Sequence, residues 1–326
     1  MNVGKYDVVA LGELLIDFTD AGQSNQGNPQ YEANPGGAPC NVLSMLAKLG
    51  IGCAFIGKVG KDSFGRQLRE SIRKVGIDDS GLVEDENIHT TLAFVHKLAD
   101  GDRDFSFYRN PGADMMLNEY EVNDALIKGC QIFHFGSLSM TSEICEKATK
   151  KAVSIAKESG KFITFDPNLR ESLWESLDKA KEKIEYGISV CNMLKISDNE
   201  IEWLTGEVCY NRAIDILMEK YPNIDLMLLS LGKEGSMAIT KNKRVIVPAF
   251  IREDTVETTG AGDTFCGCVI AKVVELLNNG RTMLSMSDDE MIGMLKFANA
   301  AASIITTRKG ALMVMPRREE ITELIA

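Results

Sequence analysis

Hydrophobic and polar positions follow two alternating patterns along the chain. Short apolar or β-branched runs such as "YDVVALG", "CAFIGKVG", "FITFDPN" and "IDLMLLSLG" are separated by longer amphipathic stretches such as "APCNVLSMLAKLG", "SFGRQLRESIRKVG" and "SEICEKATKKAVSIAKESG". The short runs have the length of buried strands, and the longer ones have the spacing of helices that bury one face. This alternation predicts an α/β fold with a doubly wound, mostly parallel central sheet and helices on both faces.

Two regions break the alternation. "TLAFVHK" and "RDFSFYR" each alternate with period two around "LADGD", which has the turn chemistry of a β-hairpin, and the polar stretch "DAGQSNQGNPQYEANPGG" lacks helical periodicity. We predict that segments at roughly 17–35 and 90–115 form a small β-sheet lid on one domain spanning residues 1–326. Such a lid would shield a reaction from water, although an ordinary surface hairpin has the same pattern.

Composition narrows the class of function. The chain has 326 residues, is 44% hydrophobic and carries a net charge of −11, with acidic and basic residues interspersed. This distribution argues against nucleic acid or an anionic membrane surface as a partner and favours a small-molecule substrate. The start of the chain lacks the pattern of a secretory signal, and no apolar run is long enough for a membrane span. We therefore expect a cytoplasmic globular protein.

The cysteines do not indicate a metal site or a disulfide framework. Eight of them are scattered along the chain without paired spacing, which predicts small core residues. Cys266 and Cys268 are close in sequence, but residues two apart on a helix point away from each other.

The stretch "TVETTGAGDTFCGCV", residues 255–269, has the clearest chemical signature. Gly260 and Gly262 permit positive φ and close approach of a ligand, and the following residues predict an amphipathic helix that begins near Asp263. Unpaired amides at a helix N-terminus, aided by the helix dipole, favour an anion such as phosphate. The residues alone leave two roles open for Asp263, helix N-cap or general base.

Two competing glycine-rich motifs fit poorly. "GCAFIGKV", Gly52 to Val59, resembles a P-loop but has valine where Mg²⁺ would need serine or threonine, and its middle resembles a strand. "GAGDTF" resembles a dinucleotide fingerprint, but Phe265 replaces the third glycine and the motif lies far from the first βα turn.

The order of several motifs resembles one family. "GELLIDF", "NPGGAPCNV", "GKVGKDSFG", "DPNLR", "KISDNE", "SLGKEG", "TTGAGDTF" and "TTRKGA" occur in the order found in PfkB-type (ribokinase) carbohydrate kinases, and "FYRNPGADMML" with "DPNLR" resembles the fructokinase branch. The resemblance implies a ribokinase-like fold with a β lid, and a kinase that uses ATP and Mg²⁺. It implies transfer of the γ-phosphoryl group to a sugar hydroxyl, with D-fructose as acceptor and fructose 6-phosphate as product. Ribose, 2-keto-3-deoxygluconate or a nucleoside remain alternative acceptors, and a catalytically silent sugar or nucleotide sensor is a more remote one.

The resemblance also implies roles for individual residues. Asp263 matches the catalytic aspartate, with anion-hole amides at Gly260, Ala261 and Gly262. Substrate contacts are expected at Asp17, which we place at the end of the first strand, and at Gly36, Gly37, Asn41, Arg109, Asn168 and Arg170. The two arginines are further expected to help hold anionic groups as bidentate donors.

Nucleotide and cation sites follow in the same way. The nucleotide is expected at Lys195, Ser197, Glu200, Ser230, Gly232, Gly235 and Asn299. Ser197 stands where the family often has asparagine, and the helix around Asn299 has the pattern of core packing. A potassium site is a hypothesis that rests on Glu257, Thr259, Ile305, Arg308 and Gly310, with Glu257 in place of the usual aspartate. Pairing of two lids across a two-fold axis, as relatives often do, would give a homodimer, although the family also contains monomers.

Overall fold

The computed structural model describes residues 6–97 and 103–326. The strands, in chain order, are β1 (Val8–Leu11), β2 (Leu15–Gln23), β3 (Pro29–Gly36), β4 (Cys53–Gly60), β5 (Ile77–Asp85), β6 (Leu92–Lys97), β7 (Arg103–Tyr108), β8 (Ile132–Gly136), β9 (Phe162–Asp166), β10 (Met193–Ser197), β11 (Leu226–Ser230), β12 (Ser236–Ile239) and β13 (Arg244–Val247).

Helices follow or precede most of these strands. They are α1 (Ala38–Lys48), α2 (Ser63–Lys74), α3 (Asp124–Gly129), α4 (Glu143–Glu158), α5 (Leu177–Val190), α6 (Asp198–Thr205), α7 (Tyr210–Lys220), α8 (Ala261–Asn278), α9 (Asp288–Ile305) and α10 (Arg318–Ile325). Within the two described ranges, none of these helices has both the length and the apolar character needed to cross a membrane.

The central sheet confirms the predicted α/β architecture. Its nine strands run in the order β13-β12-β11-β10-β9-β8-β1-β4-β5. Neighbours from β11 to β5 pair in parallel, and β12 and β13 add an antiparallel edge. Successive residues of β1 point to opposite faces, so that Val8 and Ala10 pack in one hydrophobic core while Val9 and Leu11 pack in the other. Helices therefore cover both faces of the sheet.

A second sheet contains both segments that we predicted as a lid. Its four strands run in the order β3-β2-β6-β7, with β6 and β7 forming an antiparallel pair. The hairpin turn "LADGD", residues 98–102, lies outside the described residues. Phe18 and Phe94 stack on one face of this sheet with ring centroids 4.9 Å apart. We use the word lid for these four strands; that they close over a substrate stays a prediction.

The prediction for Asp17 was wrong about its strand. Asp17 lies in β2 of the lid, opposite Asn34 of β3, and not at the end of the first strand. The apolar run appears continuous in sequence, but β1 ends at Leu11 and the chain resumes as a strand only at Leu15. Gly12 and Glu13 lie in the break between the two sheets.

The cysteines are mainly core residues, as predicted. Every cysteine except Cys209 is buried, and all eight are free thiols. Cys266 and Cys268 both lie in the buried part of α8.

Helices α1 and α8 approach each other closely at Gly267. A Cβ atom at this position would lie 2.8 Å from Cβ of Met45 and 3.0 Å from the carbonyl oxygen of Val42. Real Cβ atoms rarely make contacts this short, so the crossing of the two helices depends on a glycine.

Candidate active site

A cleft of about 460 Å³ is lined by residues from both sheets. It collects side chains that follow β1, β9 and β10, which is the edge where ligands bind in open α/β sheets. The predicted site residues that line it are Asp17, Gly37, Asn41, Asn168, Arg170, Lys195, Ser197, Glu200, Thr259, Gly260, Gly262 and Asp263. Those that do not line it are Gly36, Arg109, Ser230, Gly232, Gly235, Glu257, Ala261, Asn299, Ile305, Arg308 and Gly310.

The helix that carries Asp263 begins two residues earlier than we predicted. Gly260 is its N-cap, with φ 76°, and α8 starts at Ala261. A Cβ atom at Gly260 would lie 2.6 Å from Cβ of Ala311, so the position needs glycine for space as well as for φ. Asp263 therefore sits inside the first turn, and its side chain does not cap the helix. The N-cap alternative is wrong.

The amides at this helix terminus are suited to an anion. The amide of Ala261 donates to the carbonyl oxygen of Thr258 at 3.2 Å, which occupies one of the expected donors. The next two amides, of Gly262 and Asp263, have no acceptor within the helix because a helix cannot pair its first N–H groups. Together with the helix dipole they favour negative charge in the adjacent space.

Asp263 is held by an amide from another helix. Nδ2 of Asn41, on α1, donates to Oδ2 of Asp263 at 2.8 Å. Burial raises the pKa of Asp263, and the Asn41 hydrogen bond and the charges of Lys195 and Arg170 oppose that rise without cancelling it. A raised pKa makes the carboxylate a stronger base than an ordinary aspartate. The buried Oδ1 of Asn41 has no hydrogen-bond partner among the described residues, which leaves it an acceptor for a ligand hydroxyl.

Two glycines shape the sugar end of the cleft, the part that holds the predicted sugar contacts. A Cβ atom at Gly36 would lie 2.1 Å from Oδ2 of Asp17, so only glycine leaves room for that carboxylate. Gly37 has φ 120°, and a Cβ atom there would lie 2.4 Å from the carbonyl oxygen of Glu13. These contacts explain why the chain has a Gly-Gly pair immediately before α1.

Glu13 is a cleft residue that sequence reasoning missed. Its buried side chain lines the cleft, and Oε1 accepts from the amide of Ala38 at 2.8 Å, at the N-terminus of α1. Burial raises the pKa of Glu13 to about 7, although the amide of Ala38 and the charge of Arg109 act in the opposite direction. The signal was an acid inside the apolar run "VVALGELLI", where an unpaired carboxylate would be costly.

Asn168 and Arg170 lie on the turn after β9. Asn168 has φ 46°, in the left-handed region that asparagine tolerates better than most residues. Nη1 of Arg170 donates to the carbonyl oxygen of Leu169 at 3.0 Å, and the guanidinium is close enough to lower the pKa of Asp263. The turn thus presents an amide and a cation to the cleft.

The other predicted arginine is turned into the protein. Nε of Arg109 donates to Oδ2 of Asp114 at 2.8 Å, Nη1 donates to Oγ1 of Thr141 at 2.8 Å, and Nη2 donates to the carbonyl oxygen of Leu138 at 3.1 Å. The side chain is buried and does not line the cleft. Its predicted sugar contact remains a prediction.

Lys195 lies at the floor of the cleft beside the α8 terminus. Its Nζ is 3.0 Å from Oδ2 and 3.2 Å from Oδ1 of Asp166, and a Cβ atom at Gly262 would be 3.4 Å from Nζ. Burial lowers the pKa of Lys195, but the charges of Asp166 and Glu200 together raise it by more than burial lowers it. The amine therefore stays charged. Asp166 was also missed, and burial raises its pKa to about 7 against the opposing charge of Lys195.

Ser197 and Glu200 form the N-terminal cap of α6. The hydroxyl of Ser197 accepts from the amide of Glu200 at 3.3 Å, and Oε2 of Glu200 accepts from the amide of Ser197 at 2.9 Å. Oε1 of Glu200 accepts from the amide of Leu169 at 2.8 Å. This capping box holds a carboxylate at the cleft wall and links it to the turn after β9.

The remaining residues predicted to bind nucleotide lie near the β11–β12 turn. Gly235 has φ 117°, and a Cβ atom there would lie 2.1 Å from the carbonyl oxygen of Val247. Asn299 is buried, accepts from the hydroxyl of Ser236 at 2.8 Å and donates to the carbonyl oxygens of Val247 and Pro248 at 3.2 Å each. Its amide thus holds the end of β13 against α9.

The segments predicted for a monovalent cation lie side by side. Oε1 of Glu257 accepts from the amide of Gly310 at 2.7 Å, and the amide of Glu257 donates to the carbonyl oxygen of Thr306 at 3.1 Å. The amide of Arg308 donates to the carbonyl oxygen of Ile305 at 3.0 Å. The carboxylate and carbonyl oxygens gathered here are the ligand types that hard cations prefer.

The sequence of this chain matches a known protein family. The pfkB family carbohydrate kinase domain matches residues 5–318. Fructokinase-1 of Zea mays is 41% identical, with 100% of this chain and 99% of the maize protein covered, and Fructokinase-1 of Oryza sativa subsp. japonica is 42% identical, with 98% and 97% covered.

Solved structures have the same fold. The ATP-bound fructokinase from Xylella fastidiosa superimposes with a TM-score of 0.87 at 29% identity and covers 98% of both chains. Aminoimidazole riboside kinase from Salmonella enterica, solved with its riboside and an ATP analogue, gives a TM-score of 0.81 at 26% identity, with 98% of this chain and 99% of that chain covered. A family match over nearly the whole chain, joined to this cleft and this fold, confirms the resemblance: the protein belongs to the pfkB family of carbohydrate kinases.

Proposed function

We propose that the protein phosphorylates D-fructose with ATP and yields fructose 6-phosphate and ADP. The observation that carries the proposal is the position of Asp263, in the first turn of α8, at the cleft and within hydrogen-bond distance of Asn41. Fructokinases that match this chain from end to end at about 41% identity support fructose as the acceptor.

Each step can be assigned to a group of this chain. Asp263 takes the proton of the sugar hydroxyl as its oxygen attacks the γ-phosphorus, and the bond to the bridging oxygen of ADP breaks with its electron pair. The amides at the start of α8 and the amine of Lys195 stabilise the charge on the transferred group. Mg²⁺, when bound, offsets charge on the ATP phosphates, and Glu200 would hold its water shell.

The remaining cleft residues bind the two substrates. In this proposal Asp17, Asn41, Asn168 and Arg170 bind sugar hydroxyls in the space left by Gly36 and Gly37. The ribose and adenine of ATP bind along the β11–β12 turn, near the residues Ser230, Gly232, Gly235 and Asn299. The lid covers the sugar and excludes water, which would otherwise accept the phosphoryl group.

The substitution Asp263→Asn tests the general base. We expect kcat to fall by at least ~10²-fold, because the amide cannot accept the proton, while the KM for fructose changes little. Asp289→Asn, an exposed change of the same kind in α9, is the matched control. Near-normal turnover of Asp263→Asn in a coupled ADP-release assay would refute the assignment.

A nucleoside-like sugar is a second candidate acceptor, because the aminoimidazole riboside kinase has the same fold. ADP release measured with D-fructose, D-ribose, a nucleoside and 2-keto-3-deoxy-D-gluconate would separate the candidates. A kcat/KM for fructose below that of another sugar would overturn the choice of fructose. Turnover of none would favour a binding protein without catalysis.

Two further features belong to this proposal. A potassium ion would lie between the segments around Glu257 and Gly310, as suggested by oxygen ligands there and by a fructokinase structure from Vibrio cholerae that contains potassium. Equal turnover in potassium and in tetramethylammonium salts would exclude activation by that ion.

A homodimer through the aromatic face of the lid, where Tyr31 and Tyr108 are exposed, would be detected by light scattering.

A further inference from the structure

Four contacts to protein groups hold the guanidinium of Arg109, which does not line the cleft. Its Nε and Nη2 reach Oδ2 of Asp114 at 2.8 and 2.6 Å, and its remaining contacts are to Thr141 and Leu138. The side chains of Arg109 and Asp114 are 4% and 2% exposed. A guanidinium expected to hold anionic groups is thus neutralised inside the protein.

Asp114 is fixed from its other side as well. Its Oδ1 accepts a hydrogen bond from the hydroxyl of Thr91. A Cβ atom at Gly112 would lie 1.8 Å from Oγ1 of Thr91 and 2.8 Å from Oδ1 of Asp114, so a side chain at position 112 would disrupt this hydrogen bond. Both carboxylate oxygens of Asp114 therefore accept hydrogen bonds, Oδ1 from Thr91 just before β6 and Oδ2 from Arg109 just after β7.

The ion pair lies directly behind the wall of the sugar end. Leu138, whose carbonyl oxygen accepts from Arg109, lines the cleft, and so does Glu13, whose pKa responds to the charges of both Arg109 and Asp114. At an effective dielectric constant of about 20, an unpaired unit charge roughly 10 Å from a charged ligand changes the binding of that ligand by about tenfold. The carboxylate of Asp114 cancels that field.

We propose that Asp114 makes this site selective for neutral sugars over sugar acids by holding the charge of Arg109 in an internal ion pair. The proposal rests on the proposed function in taking a sugar as the acceptor. A sugar acid entering the cleft would meet the carboxylates of Glu13 and Asp17 with Arg170 as a cation but without the second cation that Arg109 would otherwise supply. A neutral ketose has no such requirement.

The test compares two ligands in one variant. The selectivity is the Ki of 2-keto-3-deoxy-D-gluconate, measured as a competitor of the sugar, divided by the KM for D-fructose. In Asp114→Asn the side chain keeps its size but loses its charge, so we expect this ratio to fall by at least about fivefold, mainly through tighter binding of the acid. A smaller fall, or equal weakening of both ligands, would overturn the proposal.

Two controls separate charge from structure. Thr141→Val removes one hydrogen bond of the same guanidinium without changing any charge, and Asp289→Asn removes an exposed carboxylate far along the chain. Both should leave the ratio within about twofold of the wild-type value. A shift in Thr141→Val as large as that in Asp114→Asn would also overturn the proposal.

A double variant covers the case in which Asp114→Asn does not fold. Arg109→Met with Asp114→Asn removes both charges, and replacing both partners of a buried pair is tolerated better than removing one. We expect the double variant to keep the ratio within about twofold of wild type, because no cation is left behind the wall for a sugar acid to meet. A fall in the ratio as large as that expected for Asp114→Asn would overturn the proposal. Wild-type turnover of fructose tests the proposed function separately.

Discussion

Two buried ion pairs flank the cleft, and they use their cations differently. Lys195 with Asp166 and Arg109 with Asp114 are each less than a tenth exposed, yet Lys195 lines the cleft and Arg109 does not. The planar guanidinium makes four contacts to protein groups, whereas the compact ammonium meets a single carboxylate and keeps donor capacity for a ligand. Burial of a cation therefore does not identify its role; the number of donors that the fold occupies does.

The balance of positive and negative charge around the two ion pairs also differs. Asp166, Glu200 and Asp263 all act on Lys195 or on one another, so this end of the cleft has more carboxylates than cations. Such an excess suits a divalent cation that arrives with ATP. The Arg109–Asp114 pair is balanced by itself.

The largest effect should come from breaking the balanced pair. Arg109→Met leaves the carboxylate of Asp114 buried with the hydroxyl of Thr91 as its hydrogen-bond donor, so we expect the free energy of unfolding to fall by about 3–5 kcal/mol. Chemical denaturation would measure it. Arg73→Met, which breaks the more exposed pair with Asp79, should cost at most about 1 kcal/mol. Equal losses of unfolding free energy in Arg109→Met and Arg73→Met would contradict the expected difference between the buried and the exposed ion pair.

Lys195→Met should affect catalysis more than stability. We expect kcat to fall by ~10²-fold or more, because a donor to the transferred phosphoryl group is lost. Asp166, whose pKa burial already raises to about 7, can take up a proton when its partner is removed, which limits the destabilisation. Enzyme kinetics and chemical denaturation of the same variant would test this expectation. If Lys195→Met lost as much stability as Arg109→Met and kept a normal kcat, Lys195 would be the structural cation.

A smaller effect is expected from Asn41→Ala, seen as a shift in pH dependence. The amide of Asn41 lowers the pKa of Asp263, so its loss should raise that pKa. Because the base acts in its ionised form, activity present at high pH should be lost earlier as the pH falls, and the acid limb of kcat/KM should move to higher pH. Asn279→Ala, at the other end of α8, should leave the limb in place. A limb unchanged in Asn41→Ala would mean that the hydrogen bond does not tune the base.

The fold was predictable because its signals are local. Strand–helix alternation and the period-two segments of the lid identify elements from neighbouring residues, and motif order identified the family. The start of α8 was displaced by two residues because glycines at Gly260 and Gly262 carry no helix-forming signal of their own. Asp17 was assigned to the wrong strand because two strands in different sheets share one apolar run.

The missed residues depend on contacts between distant parts of the chain. Asp166 meets Lys195 from a position 29 residues away, and Glu13 meets the amide of Ala38 from 25 residues away. Arg109 and Asp114 are close in sequence, but they lie on either side of a turn that leads into a short 3₁₀ helix, and no helical spacing predicts their contact. Sequence patterns identified the arginine, and the folded chain adds the carboxylate that it pairs with.

Gly267 affects how precisely the side chain of Asp263 is oriented. Asn41 and Asp263 are 222 positions apart in the chain, and their alignment depends on how closely two helices cross. The missing side chain at Gly267 sets that crossing distance, because any carbon there would collide with Val42 and Met45. Gly267, which does not line the cleft, thus sets how Asn41 faces the proposed proton acceptor Asp263, and a larger side chain there would move the two helices apart.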